Sequence, residues 1–278
     1  MNNHNRNAYN ALDSGEYSHM APHLRHTSIQ RLYDSMLQTA FSRVQSPSGS
    51  RPKVLDLGAG EGSVTLPFLE LGADVTAVDI SEKQLEQLEA KCSRFKQHLE
   101  VRCEDIEVVL NEGRRFDVVV ANSLLHHIPD YMHVVERATH VLREGGGFIS
   151  FQDPMWKSSI SIKDAFVSAS AYAYFRLRQG DLSGGIGRKV RRVFGRYSDD
   201  SIHDNTEYHA VRNGVNQNQI KALLEQRGFS CQVFEYCSLH SDRLQPLGEK
   251  LGIRNTFGIL AIARPKSTGL SPESDSKD

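Results

Sequence analysis

Between Val54 and Asp153 the chain alternates two hydrophobic rhythms. Short apolar runs ("VLDL" at Val54–Leu57, "DVTAVDI" ending at Asp79 and Ile80, "LEVRCED", "FDVVVAN" and "GFISFQD") read as five strands. Between them, apolar residues recur at helical spacing. "GSVTLPFLELG" starts a helix that Gly72 stops, and Ser81 caps another with Leu85 and Leu88 inward. "DYMHVVERATHVLREGG" carries Tyr131, Val134, Val135, Ala138, Val141 and Leu142 on one side, with Gly145 predicted as its stop. Strands alternating with helices predict a parallel sheet covered on both faces. Upstream, Ile29, Leu32, Tyr33, Met36, Leu37, Ala40 and Phe41 predict a helix over Thr27–Val44, and "QSPSGSRP" reads as a linker.

After Asp153 the rhythm breaks. Pro154–Asn213 has no strand signal and reads as a mostly helical insertion. Gln217–Arg227 is a predicted helix stopped by Gly228, and "FSCQVFEYCSL" and "FGILAIARP" are two further strands. "KSTGLSPESDSKD" is a low-complexity tail, expected to be unfolded. The expected organisation is an N-terminal helical segment (1–50), a core (51–153), the insertion (154–213), the end of the core sheet (214–265) and the tail (266–278).

The 278 residues carry a net charge of −1, which argues against a protein that coats nucleic acid. No apolar run approaches the roughly 20 residues that span a bilayer, and no signal peptide is visible, so a cytoplasmic location is expected. Cys92, Cys103, Cys231 and Cys237 show no C-x-x-C spacing and are expected to be thiols rather than a disulfide framework or a metal site.

"VLDLGAGEG", Val54–Gly62, is the densest chemical signal. A glycine-rich turn between a first strand and a helix is the nucleotide site of doubly wound folds. No Gly-Lys-Ser/Thr closes the turn, and the dinucleotide fingerprint would place glycine where Ser63 stands. Asp56, just before the turn, is unhelpful to a pyrophosphate and suits an ammonium group. Asp79, about 20 residues on, can take both ribose hydroxyls. An acid in "CEDI", Cys103–Ile106, can accept from an adenine amine, and Asn122 ends the fourth strand beside the same crevice. A ligand with adenine, free ribose and an amino acid but no phosphate is S-adenosyl-L-methionine.

With "VLDLGAGEG", "VTAVDIS", "CEDI", "FDVVVANSLLHHIPD" and "LREGGGFISFQDP" in order, the sequence resembles the class I S-adenosylmethionine-dependent methyltransferases of the small-molecule, ubiquinone- and menaquinone-biosynthesis type. The resemblance covers Leu55–Asp153 well and the closing helix-strand-strand weakly. It implies a Rossmann-like, doubly wound α/β fold: a seven-stranded sheet with its last strand antiparallel, an N-terminal helical lid, and the insertion after strand five as an acceptor cap. It also implies that Asp56, Gly58, Ala59, Gly60 and Gly62 line the methionine moiety, that Asp79 and Ile80 hold the ribose, and that Glu104, Asp105 and Ile106 frame the adenine. Asn122 would lie under the sulfonium.

Methyl transfer to a hydroxyl gains from a general base. His127, in "LLHHIPD", and His209, in "IHDNTEYHAVRNG", are the candidates; packing or a solvated connection are the alternatives for each. His26, Trp156, Tyr172 and Tyr208 are candidate acceptor contacts. Within 186–197, Arg188, Lys189, Arg191, Arg192 and Arg196 interleave with Ile186, Val190, Val193, Phe194 and Tyr197, as in a helix that meets an anionic lipid or phosphate, or packs as a cap. The expected activity is methylation of O or N on a small natural-product, sugar or lipid-linked acceptor, with no stable nucleic-acid complex. The alternatives are tRNA or rRNA methylation, non-methylating sulfonium chemistry, and a non-catalytic scaffold. Oligomeric state is left open.

Overall fold

The computed structural model describes residues 22–44, 49–178 and 208–264. The basic stretch 186–197, His203 and the tail 266–278 lie outside them. Seven strands form one sheet: β1 Lys53–Leu57, β2 Asp74–Asp79, β3 Leu99–Cys103, β4 Phe116–Asn122, β5 Leu142–Pro154, β6 Phe229–Tyr236 and β7 Thr256–Ala263, in the order β3-β2-β1-β4-β5-β7-β6. The first five pair in parallel, and β7 runs antiparallel to both β5 and β6. The main helices are α1 Thr27–Arg43, α2 Thr65–Glu70, α3 Glu82–Lys91, α4 Ile106–Asn111, α5 Tyr131–Val141, α6 Ile162–Arg178, α7 Gln217–Gln226 and α8 Gln245–Lys250.

Strand alternation feeds two cores. Val54, Val118 and Val120 face one side with α1, while Leu55, Leu57, Val119 and Ala121 face the other with α5 and α7. All seven residues of β4 are buried, as the centre of a sheet covered on both faces requires. The outer strand β3 carries Arg102 between Glu100, Glu104 and Glu112, a charged edge unsuited to pairing with another chain.

One expectation is corrected. The helix predicted to run on to Gly145 ends at Val141, because Leu142 pairs with Phe116 and begins β5. Gly145 is left-handed (φ 76°) but lies within the strand's irregular start. The N-terminal helix α1 buries Tyr33, Met36, Leu37 and Ala40 against the sheet, and none of its residues lines the cavity described below. It forms a layer of the core; the rest of the expected N-terminal lid, 1–21 and 45–48, lies outside the described residues. No helix among the described residues is long and apolar enough to cross a membrane.

Candidate active site

The strand order reverses between β1 and β4. The connections to their two sequence neighbours leave in opposite directions there, so a crevice opens beyond their carboxyl ends. A cavity of about 360 Å³ lies in it. The turn after β1 supplies its floor. Gly58, Gly60 and Gly62 all have positive φ (69°, 51° and 87°), where side chains are disfavoured. The Gly58 and Ala59 N–H groups donate to the Val78 carbonyl, and Gly60 N–H donates to Asp79 Oδ2 at 2.9 Å. Asp79 Oδ1 accepts from Ser81 N–H at 2.9 Å, so this one carboxylate ties the glycine turn to the start of α3.

Of the residues expected at the cofactor, Gly58, Gly60, Asp79, Ile80, Asp105, Ile106 and Asn122 line the cavity. Asp56, Ala59, Gly62 and Glu104 do not. Asp56 lies fully buried behind the turn, where its Oδ2 accepts from Thr65 Oγ1 at 2.7 Å; burial, followed by nearby Asp79, pushes its carboxyl up to about 7. A Cβ on Gly62 would sit 3.0 Å from Leu88, so this glycine serves close packing of the turn on α3. Glu104 is held by Arg102 at 2.6 Å. Burial also raises the Asp79 carboxyl, against the hydrogen bonds it accepts.

His127 lines the cavity and is 7% exposed. His209 does not: its Nε2 donates to the Pro129 carbonyl at 3.0 Å and its ring meets Tyr131 edge-on, so it braces the wall of which Pro129 is part. Burial lowers its pKa, which favours the neutral ring. None of the four expected acceptor contacts lines the cavity. His26 is buried with Nε2 2.8 Å from the Leu239 carbonyl, the Trp156 backbone N–H donates to Gln217 Oε1, Tyr172 meets His240 edge-on, and Tyr208 stacks under Arg212.

Sequence reasoning missed Gln84, Ser123, Glu107 and Asp130 in the lining. Ser123 and Asp130 lay in the quoted "FDVVVANSLLHHIPD" without being singled out; Gln84 sits one turn into α3, where nothing but the fold points it inward. The lining acids are Asp79, Asp105, Glu107 and Asp130, and no Lys or Arg is among the lining residues. That set of acceptors fits S-adenosyl-L-methionine, whose sulfonium and ammonium outweigh its carboxylate. It offers a pyrophosphate no cation. Gln84 Nε2, buried and without a partner among the described residues, is a donor left over for a ligand acceptor.

Residues 54–146 match a family model described as "Methyltransferase domain". A ubiquinone biosynthesis O-methyltransferase of Coxiella burnetii is 30% identical over 93 residues, 34% of this chain and 40% of that protein. One of a Bradyrhizobium species is 32% identical over 107 residues, 38% and 42% respectively. The chain thus spans about two fifths of the length of these curated relatives. Among solved structures, magnesium protoporphyrin IX methyltransferase from Synechocystis PCC 6803 with bound SAM aligns with a TM-score of 0.51 at 13% identity, covering 95% of this chain and 97% of that one. The match to its complex with SAH has a TM-score of 0.52 at 13% identity, covering 95% and 99%. At such identity these neighbours speak for the fold. Taken with the acidic cavity at the switch point, the matched stretch identifies residues 54–146 as a class I methyltransferase domain whose cofactor is S-adenosyl-L-methionine.

Proposed function

We propose that this protein transfers the methyl group of S-adenosyl-L-methionine to an oxygen of a small natural-product, sugar or lipid-linked acceptor, with nitrogen as the alternative atom. The observation that carries the reading is the cavity at the β1–β4 switch point, rich in acids and free of lysine and arginine among its lining residues. The names of the relatives favour oxygen. The bound cofactor supplies an electrophilic methyl group. The chain's own residues do the rest. Asp79 would take the ribose hydroxyls, Ile80 and Ile106 would flank the adenine, Asp105 would accept from its amine, and Gly58 and Gly60 would let the backbone approach the methionine end. Asn122 would lie near the reacting sulfur. His127, at the cavity wall, would accept the hydroxyl proton, while His209 fixes Pro129 behind it. Holding the acceptor in line is the larger contribution, on the order of 7–11 kcal/mol in well-oriented reactions.

The test incubates the protein with isotopically labelled S-adenosyl-L-methionine and a panel of phenols, catechols, sugars, amines and total RNA, and follows label transfer by mass spectrometry. Label on a hydroxyl supports the proposal. Label only on RNA, or cofactor consumed without methyl transfer, would replace it with one of the alternatives.

A second reading concerns where the acceptor is met. Helix α6 exposes Ile162 (90%), Phe166 (72%) and Leu177 (56%), and the basic stretch 186–197 follows it in the chain. Exposed apolar residues followed in the sequence by clustered cations suit an anionic membrane surface reached from the cytoplasm. Co-sedimentation with anionic but not neutral vesicles, lost at high salt and in an Arg188→Gln/Arg191→Gln/Arg192→Gln variant, would support it. A protein that stays in solution with every vesicle refutes it.

A further inference from the structure

Strand β5 ends in a distortion that brings together residues normally kept apart. In a regular strand Ser150 and Asp153 would project from opposite faces. Here the pairing of β5 with β7 shifts register between Phe151 and Asp153, and the intervening Gln152 is left-handed, with φ 65°. That conformation costs a non-glycine residue about 1–3 kcal/mol. It is held by Tyr236, whose hydroxyl accepts from Gln152 N–H and donates to Gln152 Oε1, and by Ser238, which accepts from Gln152 Nε2 at 2.7 Å. The result is a fully buried carboxylate with three donors. Asp153 Oδ1 accepts from His126 N–H at 3.1 Å and from His126 Nδ1 at 2.8 Å, and Oδ2 accepts from Ser150 Oγ at 3.1 Å. The His126 ring lies 3.9 Å from that of His127, the histidine at the cavity wall.

We propose that Asp153 is a positioning residue for methyl transfer: through His126 it fixes the turn and the ring against which His127 is set. A carboxylate only accepts, so it places the hydrogen of His126 on Nδ1. By binding the backbone N–H of the same residue it locks the Leu125–His127 turn together with the ring. The inference rests on the reading of His127 as proton acceptor, because Asp153 does not touch the cavity itself.

Long-range proton–nitrogen NMR of the full-length protein with labelled histidines, titrated with S-adenosylhomocysteine, tests it without any acceptor. In the parent protein His126 should be hydrogenated at Nδ1, and the His127 signals should move as S-adenosylhomocysteine binds. In Asp153→Asn the His126 tautomers should mix and the His127 response should change, with the S-adenosylhomocysteine Kd within about twofold of the parent. A His126 ring in the parent that lacks hydrogen on Nδ1 overturns the proposal before any variant is needed. An unchanged pair of rings in Asp153→Asn also overturns it. Silence of His127 in the parent on S-adenosylhomocysteine addition would instead sink the underlying assignment of His127 to the cofactor site.

Discussion

Replacing Asp79 by asparagine removes a charge while keeping the shape, and the structure sets the size of the effect. A carboxylate has about four lone-pair sites. Gly60 N–H and Ser81 N–H each donate to it at 2.9 Å, and the Ile80 backbone N–H bonds it as well. The acceptor capacity that is left belongs to a residue that lines the cavity, where it would meet the ribose hydroxyls. Asparagine still accepts one backbone bond, but its amide turns a second acceptor into a donor. One ribose bond is lost outright and the other loses its charge. A hydrogen bond to a charged group contributes about 1.5–3 kcal/mol, so the S-adenosylhomocysteine Kd should rise roughly 10- to 150-fold at about 1.4 kcal/mol per tenfold. Isothermal calorimetry on the purified chain measures it, with the melting temperature checked alongside because the glycine turn shares this side chain. Burial raises the Asp79 carboxyl in the free protein, and the ribose prefers the ionised form. Affinity should therefore strengthen as pH rises through its titration, and Asp79→Asn should lose that dependence. A Kd within twofold of the parent in a fully folded variant would refute the assignment of Asp79 to the ribose.

Burial of Asp56 has a separate signature. Its carboxyl holds a proton up to about 7 when folded but releases it near the ordinary 3.8 when unfolded, so stability falls as pH rises between those values. The span corresponds to about 4 kcal/mol at most; denaturant titrations at pH 5 and pH 7.5 should show the slope, and Asp56→Asn should flatten it. Gly58→Ala places a Cβ at φ 69° and 2.8 Å from Leu124 Cδ1, which should lower the melting temperature by a few degrees and weaken S-adenosylhomocysteine binding, read by thermal shift with and without ligand. His127→Ala should lower turnover on a hydroxyl acceptor with cofactor affinity retained. His209→Ala should act through the Pro129 wall and so raise KM as well; the reverse pattern would exchange their roles.

The core of this fold was legible because its signals are local and periodic. Val118–Ala121 is apolar throughout, and Val54–Leu57 apolar but for Asp56, since both faces of the sheet are covered, and the glycine spacing after β1 marks a turn that side chains would obstruct. Seven of the cofactor residues expected from those motifs line the cavity for the same reason. Two short elements were not legible: α4 and α8 have six residues each, less than two turns of periodicity, whereas the equally short α2 was marked by Gly72 at its end. Neither was the pairing of His126 with Asp153, 27 residues apart, because it depends on a left-handed glutamine that no composition rule selects. The acceptor contacts misled because an aromatic ring looks the same in sequence whether it packs on His240, as Tyr172 does, or on a substrate.

The way the sheet is covered separates what is inherited as a unit from what can fold as one. The stretch shared with other proteins, residues 54–146, stops before Gly147, where the regular pairing of β5 with β4 begins. One face of that stretch is roofed by α1, which comes before it, and by α2 and α3 within it; the other leans on α7, and β5 is closed by β7, both from after it. The two outer segments are also clasped to each other: Arg25 pairs with Asp242, His26 with the Leu239 carbonyl, and Ser28 with Glu249. A fragment cut at the shared limits would leave β4 with an open edge and Val118 and Val120 without α1 above them. Such a fragment should aggregate rather than bind cofactor. The chain must bring its two distant ends together before the shared middle becomes stable, so the slow step of its folding should be that long-range closure rather than formation of any one strand–helix unit.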